Sequence, residues 1–312
     1  RYPAALGIPD PGRWDRSTPR RLGYRCAPAA VTLPAVTSML TERVRTQVSG
    51  LAGAGLDATT FAESALQALS RAVPFAAACF ASADPATGLV TGTVKHALDD
   101  AHDEEWAHFE YVVPDPSAFV QISRVPGQVL GLHSETGGEV DRSPRFTEFV
   151  RRYWDFEDEV RAALTVDGVT WGFLALFRDG PGAAFTPPEQ SFLSVVAPAL
   201  ATGLRGGLIA AAADGSATHV DGPAVLVVDD RGQVASASPG AAAQVAELGG
   251  GVLGDCPLPL ALLSLVGAAR RTAPDGVPSV PRVRLRTLSG HWVVAHASRL
   301  LSRDGAASDV VI

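Results

Sequence analysis

The sequence predicts an α+β fold of two domains, each an antiparallel sheet flanked by helices, with a long helix linking them. Three observations carry this. Two stretches, "PFAAACFASADPATGLVTGTVKHAL" and "DEVRAALTVDGVTWGFLALFR", join apolar, strand-favouring runs through turn residues, which is the mark of β-hairpins. Several other stretches repeat apolar residues at helical spacing and carry their own start and stop residues. Finally, "ADGSATHVDGP" holds no periodicity and separates two halves that each contain strands and helices. The boundaries that follow are a disordered or non-native extension over 1–35, a first domain over 36–208, a linker over 209–220, and a second domain over 221–312 that stops inside a strand.

The elements follow in chain order. "VTSMLTERVRTQVSGL" predicts a helix from Val36 to Leu51, capped by Thr37 or Ser38. Asp57 starts a second helix, in which Phe61, Ala65, Leu66 and Leu69 form the apolar stripe and Pro74 is the stop. The first hairpin turns at "DPATG". Residues 99–124 are acidic and aromatic, with a helix expected around Glu104–Glu110 and a solvated acidic face. "PGQVLGLHSETGG" predicts a short extended segment and a turn, and "SPRFTEFVRRYWDF" a helix begun by Ser143 with Pro144 in its first position. The second hairpin turns at Asp167-Gly168. After it, "FTPPEQSFL" has the capping-box pattern: Thr186 as cap, Pro187 first in the helix, Glu189 reaching back. That helix carries Phe192, Leu193, Val196, Leu200 and Leu204 on one face and runs to about Ala213.

Beyond the linker, the pattern predicts strand "AVLVVDD", strand "VASAS", helix "PGAAAQVAELGG" and helix "LPLALLSLVGAARR". Strands "PRVRLRTL" and "HWVVAHASRL" follow, then a last strand at "DVVI". In "RVRLRT" the alternation puts Arg282, Arg284 and Arg286 on one face, expected to be solvated.

Composition narrows the function classes. Net charge is −7, although residues 1–30 hold six arginines against Asp10 and Asp15, so nucleic-acid binding by these residues is disfavoured. Three widely spaced cysteines (Cys26, Cys79, Cys256) imply neither a disulfide framework nor a zinc site and suit a reducing, cytoplasmic setting. No membrane span is expected. The only lysine, Lys95, reads as an exposed strand end, so no GK[ST] phosphate loop exists and a Schiff-base lysine has a single candidate. The chain opens on Arg1 and its only methionine is Met39, so a fragment or a reading frame begun too far upstream is expected.

No constellation points to a reaction. Glu105 and His108 make one ExxH beside His102, where di-iron chemistry needs two such motifs, and a solvated helix face is the simpler account. "GLAGAG" follows a helix and is a stop rather than a nucleotide loop. Ser264 lacks the glycine of a nucleophile elbow. Cys79 reads as a small buried hydrophobe with nothing cationic near it in sequence to activate it. His133 and His296 read as structural histidines, with ligand contact as the alternative. Trp106, Phe109, Tyr111, Phe119, Tyr153, Trp154 and Phe156 cluster in the segments expected to cover one sheet face, and either pack a core or line a pocket.

Over about residues 40–312 the chain resembles a known arrangement. The strings "VPFAAACFASADPATG", "HSETGGEVDRSPRFTEFVRRYWDFEDEVRAAL", "WGFLALFRD" and "AFTPPEQSFLSVVAPALATGL" resemble a GAF domain. "GPAVLVVDDRGQVASASPGAA" and "RVRLRTLSGHWVVAHASRL" resemble a PAS-like domain. That order is similar to the sensory region of large bacterial LuxR-type helix-turn-helix regulators, whose DNA-binding domain is absent from these residues. The resemblance implies a non-enzymatic, cytoplasmic sensor with no cofactor, metal or membrane contact. It implies a homodimer whose flanking helices pass a signal to a DNA-binding domain elsewhere, and a small-molecule ligand in the first domain. Cys79, Trp106, Tyr111, Phe119, His133 and Trp154 are the ligand-contacting candidates. The alternative is a GAF-PAS interaction module of a signalling kinase or phosphatase, with no ligand.

Overall fold

The computed structural model describes residues 35–125, 128–180, 182, 184–213, 224–271, 280–301 and 307–312. Residues 1–34 of the expected 1–35 extension and 214–220 of the expected linker lie outside them, and Ala35 begins the first helix. The chain runs through α1 (Ala35–Ala52), α2 (Ala58–Leu69), β1 (Ala77–Ala83), β2 (Val90–His96), α3 (Asp103–Tyr111) and α4 (Phe119–Ile122). It continues through β3 (Val129–Gly131), α5 (Leu132–Thr136), a 3-10 turn Val140–Arg142, a π-helix Arg145–Trp154, β4 (Asp158–Val166), β5 (Val169–Arg178) and α6 (Pro187–Ala213). Then come β6 (Leu226–Val228), β7 (Val234–Ala237), α7 (Ala241–Glu247), α8 (Leu260–Arg270), β8 (Arg282–Arg286), β9 (Trp292–His296), β10 (Ser298–Leu301) and β11 (Ala307–Val311).

Strands β1 to β5 form one antiparallel sheet in the order β2-β1-β5-β4-β3. Side chains alternate across a strand, so each strand serves two cores. Ala78, Phe80, Val160, Ala162, Leu164, Leu174 and Leu176 bury against α1, α2 and α6. Ala77, Cys79, Ala81, Ala163, Phe173, Ala175 and Phe177 face the other way, under α3, α4 and the π-helix. Both hairpins turn where expected: Asp167 and Gly168 adopt positive φ (54° and 75°), and Gly88 closes the first turn at φ 71°. Gly172, in the middle of β5, could not be replaced without its Cβ striking the Ala81 carbonyl and Leu204.

Two helix starts, those of α2 and α6, follow the sequence closely, whereas α1 begins at Ala35, so Thr37 and Ser38 lie within the helix rather than capping it. Asp57 caps α2, its Oδ1 accepting from the Thr59 and Thr60 amides. Ahead of α6, the Thr186 amide donates to Glu189 Oε2 at 2.8 Å, and Arg178 at the end of β5 grips the same carboxylate at 2.6 Å. Strand end and helix start are thereby tied at one point. By length and composition α6 would pass for a membrane-crossing helix, with mean hydropathy 1.5 over Pro187–Ala210. Its Leu193, Val196, Leu200 and Leu204 are instead buried against the sheet side.

Some expectations are corrected. Residues 145–154 wind as a wider π-helix, with Pro144 before its first turn rather than inside it. The "LHSET" turn is a short helix. "HWVVAHASRL" is two strands broken at Ala297: β9 pairs only with β8, whereas β10 joins the sheet β10-β11-β6-β7. Residues 209–213 continue α6. Helix α3 is no solvated face, because α8 covers it, and its Trp106, Ala107, Glu110 and Tyr111 are buried. The expected arginine face of β8 does face outward, with Arg282 and Arg284 exposed and Val283 and Leu285 buried beneath, and Arg284 there also donates to Asp84 through its amide at 2.8 Å and its Nε at 3.1 Å. The core on the α3 side of the first sheet runs on through Leu258, Leu262, Leu265 and Val266 into Leu226, Val228 and Val310 of the second.

Candidate functional site

The register of the first sheet sets four residues in a row across it. Lys95 on β2 lies opposite Cys79 on β1, Cys79 opposite Ala175 on β5, and Ala175 opposite Arg161 on β4. All four line an internal cavity of about 10 Å³, room for one water. The walls are Trp106 from α3, Phe119 from α4, Trp154 from the π-helix, Phe177 from β5, Glu159 from β4 and Leu260 from α8. Aromatic rings dominate: Phe119 stacks on Phe173 at 4.3 Å, and Trp154 meets Phe177 edge to face at 5.5 Å.

Beneath the rings lies a buried charge cluster. Arg161, 1% exposed, donates to Glu110 Oε2 at 2.7 Å and to the Ser117 carbonyl, and its guanidinium sits 3.5 Å from the centre of the Phe119 ring. Arg145 of the π-helix donates to Glu159 and to Ser117 Oγ. Asp115 accepts from Ser117, from Ser143 and from the Arg145 amide. Burial alone would raise the Asp115 pKa. The Arg145 charge and these hydrogen bonds outweigh it and hold the carboxyl below its usual value. On the rim, Lys95 binds Asp100 at 2.6 Å and also Asp103. Its side chain is only 11% exposed, which corrects the reading of an open strand end. Burial works against the Lys95 ammonium, but the two carboxylates overcome it and raise its pKa; burial raises that of Asp103.

Three buried polar atoms at this cavity make no hydrogen bond among the described residues: Trp154 Nε1, Glu159 Oε1 and Arg161 Nε. The last two face each other at 3.3 Å without hydrogen-bond alignment. Two donors and an acceptor thus belong to side chains that line one small, aromatic-walled cavity. Burial pushes the Cys79 thiol up to about 12, despite Lys95 and Arg161, which favours the thiol over the thiolate.

The sequence-derived candidates divide between places. Cys79, Trp106, Phe119 and Trp154 meet at this cavity. Tyr111 stands apart, its hydroxyl accepting from the Val90 amide at 3.1 Å. His133 lies at the joint below α6, with Nδ1 2.7 Å from Asp158 Oδ1, whose other oxygen accepts from the Phe185 amide. Sequence reasoning missed Lys95, Glu159 and Arg161. The signal was present in "DEVRAALTV": Val160, Ala162 and Leu164 alternate on one face, so Glu159 and Arg161 must share the opposite face with the apolar Ala163. A roomier apolar cleft, about 520 Å³, lies in the second half between Leu226, Val245, Leu262 and Val293. No aspartate, glutamate, lysine or arginine side chain lines it, and none of the described buried atoms that lack a hydrogen bond belongs to its lining residues.

No protein-family profile matches the chain, and no curated protein does. Among solved structures the chain is similar to the GAF domain of a phosphoenolpyruvate-protein phosphotransferase from Coxiella burnetii. Identity there is 12%, TM-score 0.35, and 54% of this chain and 94% of that one are covered. It is similar to the phytochrome photosensory core module of Stigmatella aurantiaca at 16% identity and TM-score 0.36, over 57% of this chain and 39% of that one. It is also similar to the bacteriophytochrome RpBphP3 of R. palustris at 12% identity and TM-score 0.39, over 91% of this chain and 64% of that one.

Proposed function

We propose that residues 36–208 form a GAF-type sensor domain that holds a small ligand against the Lys95–Cys79–Ala175–Arg161 row. The observation that carries this is a set of buried atoms without a hydrogen bond among the described residues, Trp154 Nε1 and the ion-paired Glu159 Oε1 and Arg161 Nε, on side chains that line the aromatic-walled cavity. A buried polar group without a partner costs of the order of 1–3 kcal/mol, and a ligand offering both a donor and an acceptor would recover it. The ligand class is therefore a compact molecule with an apolar or aromatic body and a hydroxyl, amide or amine. Native mass spectrometry of the purified chain tests this: a retained small molecule lost in Glu159→Gln supports the reading, and a chain that carries and takes up nothing overturns it.

The domain works, in this reading, within a cytoplasmic homodimer of a LuxR-type regulator. Helices α1 and α6 pack together and leave Met39, Val195 and Ile209 more than half exposed, as a dimer seam would. Val195→Glu with Ile209→Glu should give a monomer in sedimentation, and an unchanged mass in wild type and variant would sink the seam. The output is read from the coding sequence beyond Ile312: a helix-turn-helix there supports the regulator, and a kinase or phosphatase domain replaces it.

A further inference from the structure

Of the thirteen residues around the cavity, eleven come from the first sheet and the helices beside it and Leu98 from the connection after β2; the thirteenth is Leu260, at the start of α8. The second half of the chain thus completes the wall of the first half's cavity. It is held there by close contacts. Gly267 of α8 lies so near α3 that an added Cβ would stand 3.0 Å from Tyr111 Cβ and 3.1 Å from the Ala107 carbonyl oxygen. Asp84, buried in the β1–β2 turn, takes the amide and guanidinium of Arg284 on β8. With Leu260 in place the cavity has room for a single water, and every other wall belongs to the sheet, its covering helices or a short connection between them.

We propose that α8 is a removable gate: a ligand larger than water enters the cavity only as Leu260 withdraws, so that occupancy of the sensor and docking of the second half exclude one another. This rests on the sensor reading above for its ligand, while the gate itself is a statement about access. Mutual exclusion would supply a signal with no long-range wire. The ligand binds the undocked state better than the docked one, and the released second half is the output. The apolar core shared by α8 and the first half, together with the Asp84–Arg284 pair, sets how much binding energy that release needs.

Cys79 is a built-in reporter, because it lines the cavity and is inert while enclosed. The full chain is treated with methyl methanethiosulfonate, and modification of Cys79 is followed by peptide mass spectrometry, which separates it from Cys26 and from the exposed Cys256. Wild type should label slowly. Leu260→Ala, which removes the plug, and Asp84→Ala, which removes the acceptor of both the Arg284 amide and its guanidinium, should each label Cys79 at least tenfold faster, with far-UV circular dichroism and urea midpoint showing both variants folded. Equal rates in wild type and both variants overturn the gate. So does acceleration that disappears once rates are corrected for each variant's unfolded fraction. A ligand found by native mass spectrometry without any change in Cys79 rates would keep the sensor and lose the gate, so the two readings fail separately.

Discussion

Arg161 shows how much one side chain decides here. It neutralises Glu110 and Glu159, fixes the Ser117 carbonyl and backs the Phe119 ring, all at 1% exposure. Arg161→Ala leaves two buried carboxylates with less counter-charge than they need, and should cost about 3–5 kcal/mol in urea denaturation. A loss under 1 kcal/mol would mean that water already screens the cluster. Asp84 makes a prediction about pH. Burial would raise its pKa, but the hydrogen bonds and charge of Arg284 and the Ala86 amide reverse this, so the folded value is depressed. The stabilisation it brings is therefore full above the ordinary carboxylate value near 4 and is lost as pH falls through the lower folded value. Asp84→Asn should lower stability at pH 7 and flatten the acid limb of a urea-midpoint profile; a parallel, unflattened profile would remove Asp84 from the account.

At the scale of elements, α6 is where local signals and packing meet. Thr186→Ala removes the hydroxyl that donates to Glu189 Oε2 at 2.8 Å, and should cost about 1 kcal/mol by thermal or urea unfolding. Gly207 sits where α6 passes the start of α2, and an added Cβ would lie 2.6 Å from the Ala58 nitrogen and 2.8 Å from the Asp57 carbonyl carbon. Glycine to alanine inside a helix normally gains up to about 1 kcal/mol. Gly207→Ala should instead lose about 1–3 kcal/mol, because both neighbours are backbone and cannot swing away. The sign of that one measurement tests the close approach of the two helices. The capping pattern was legible in the sequence because a cap is made by residues three apart. The Gly207 contact was not, because its partner is about 150 positions away in the chain.

At the scale of the whole molecule, the two halves share a core. Phe173 and Phe177 of the first belong to the same buried cluster as Leu262, Leu265 and Val283 of the second half. Apolar burial stabilises by roughly 25 cal/mol per Å², so separating them would expose a large apolar surface. The 312-residue chain should accordingly unfold in one transition, with tryptophan fluorescence and far-UV circular dichroism coinciding through urea. Two resolved transitions would show instead that the halves are independent and that the gate stands open in solution.

The sequence by itself determined much of the local outcome: the two hairpins of the first sheet, their turns at Gly88 and Gly168, and how Asp57 and Thr186 begin their helices. Those results depend on side-chain period and on hydrogen bonds between near neighbours. Tertiary structure alone decided the site. Lys95, Cys79 and Arg161 are strangers in sequence, and only strand register places them in one row. Leu260 reaches their cavity because α8 docks on α3. A single charged residue in a strand looks the same in sequence whether it faces solvent or a buried carboxylate, and the difference arises only when the opposite face of the sheet is covered.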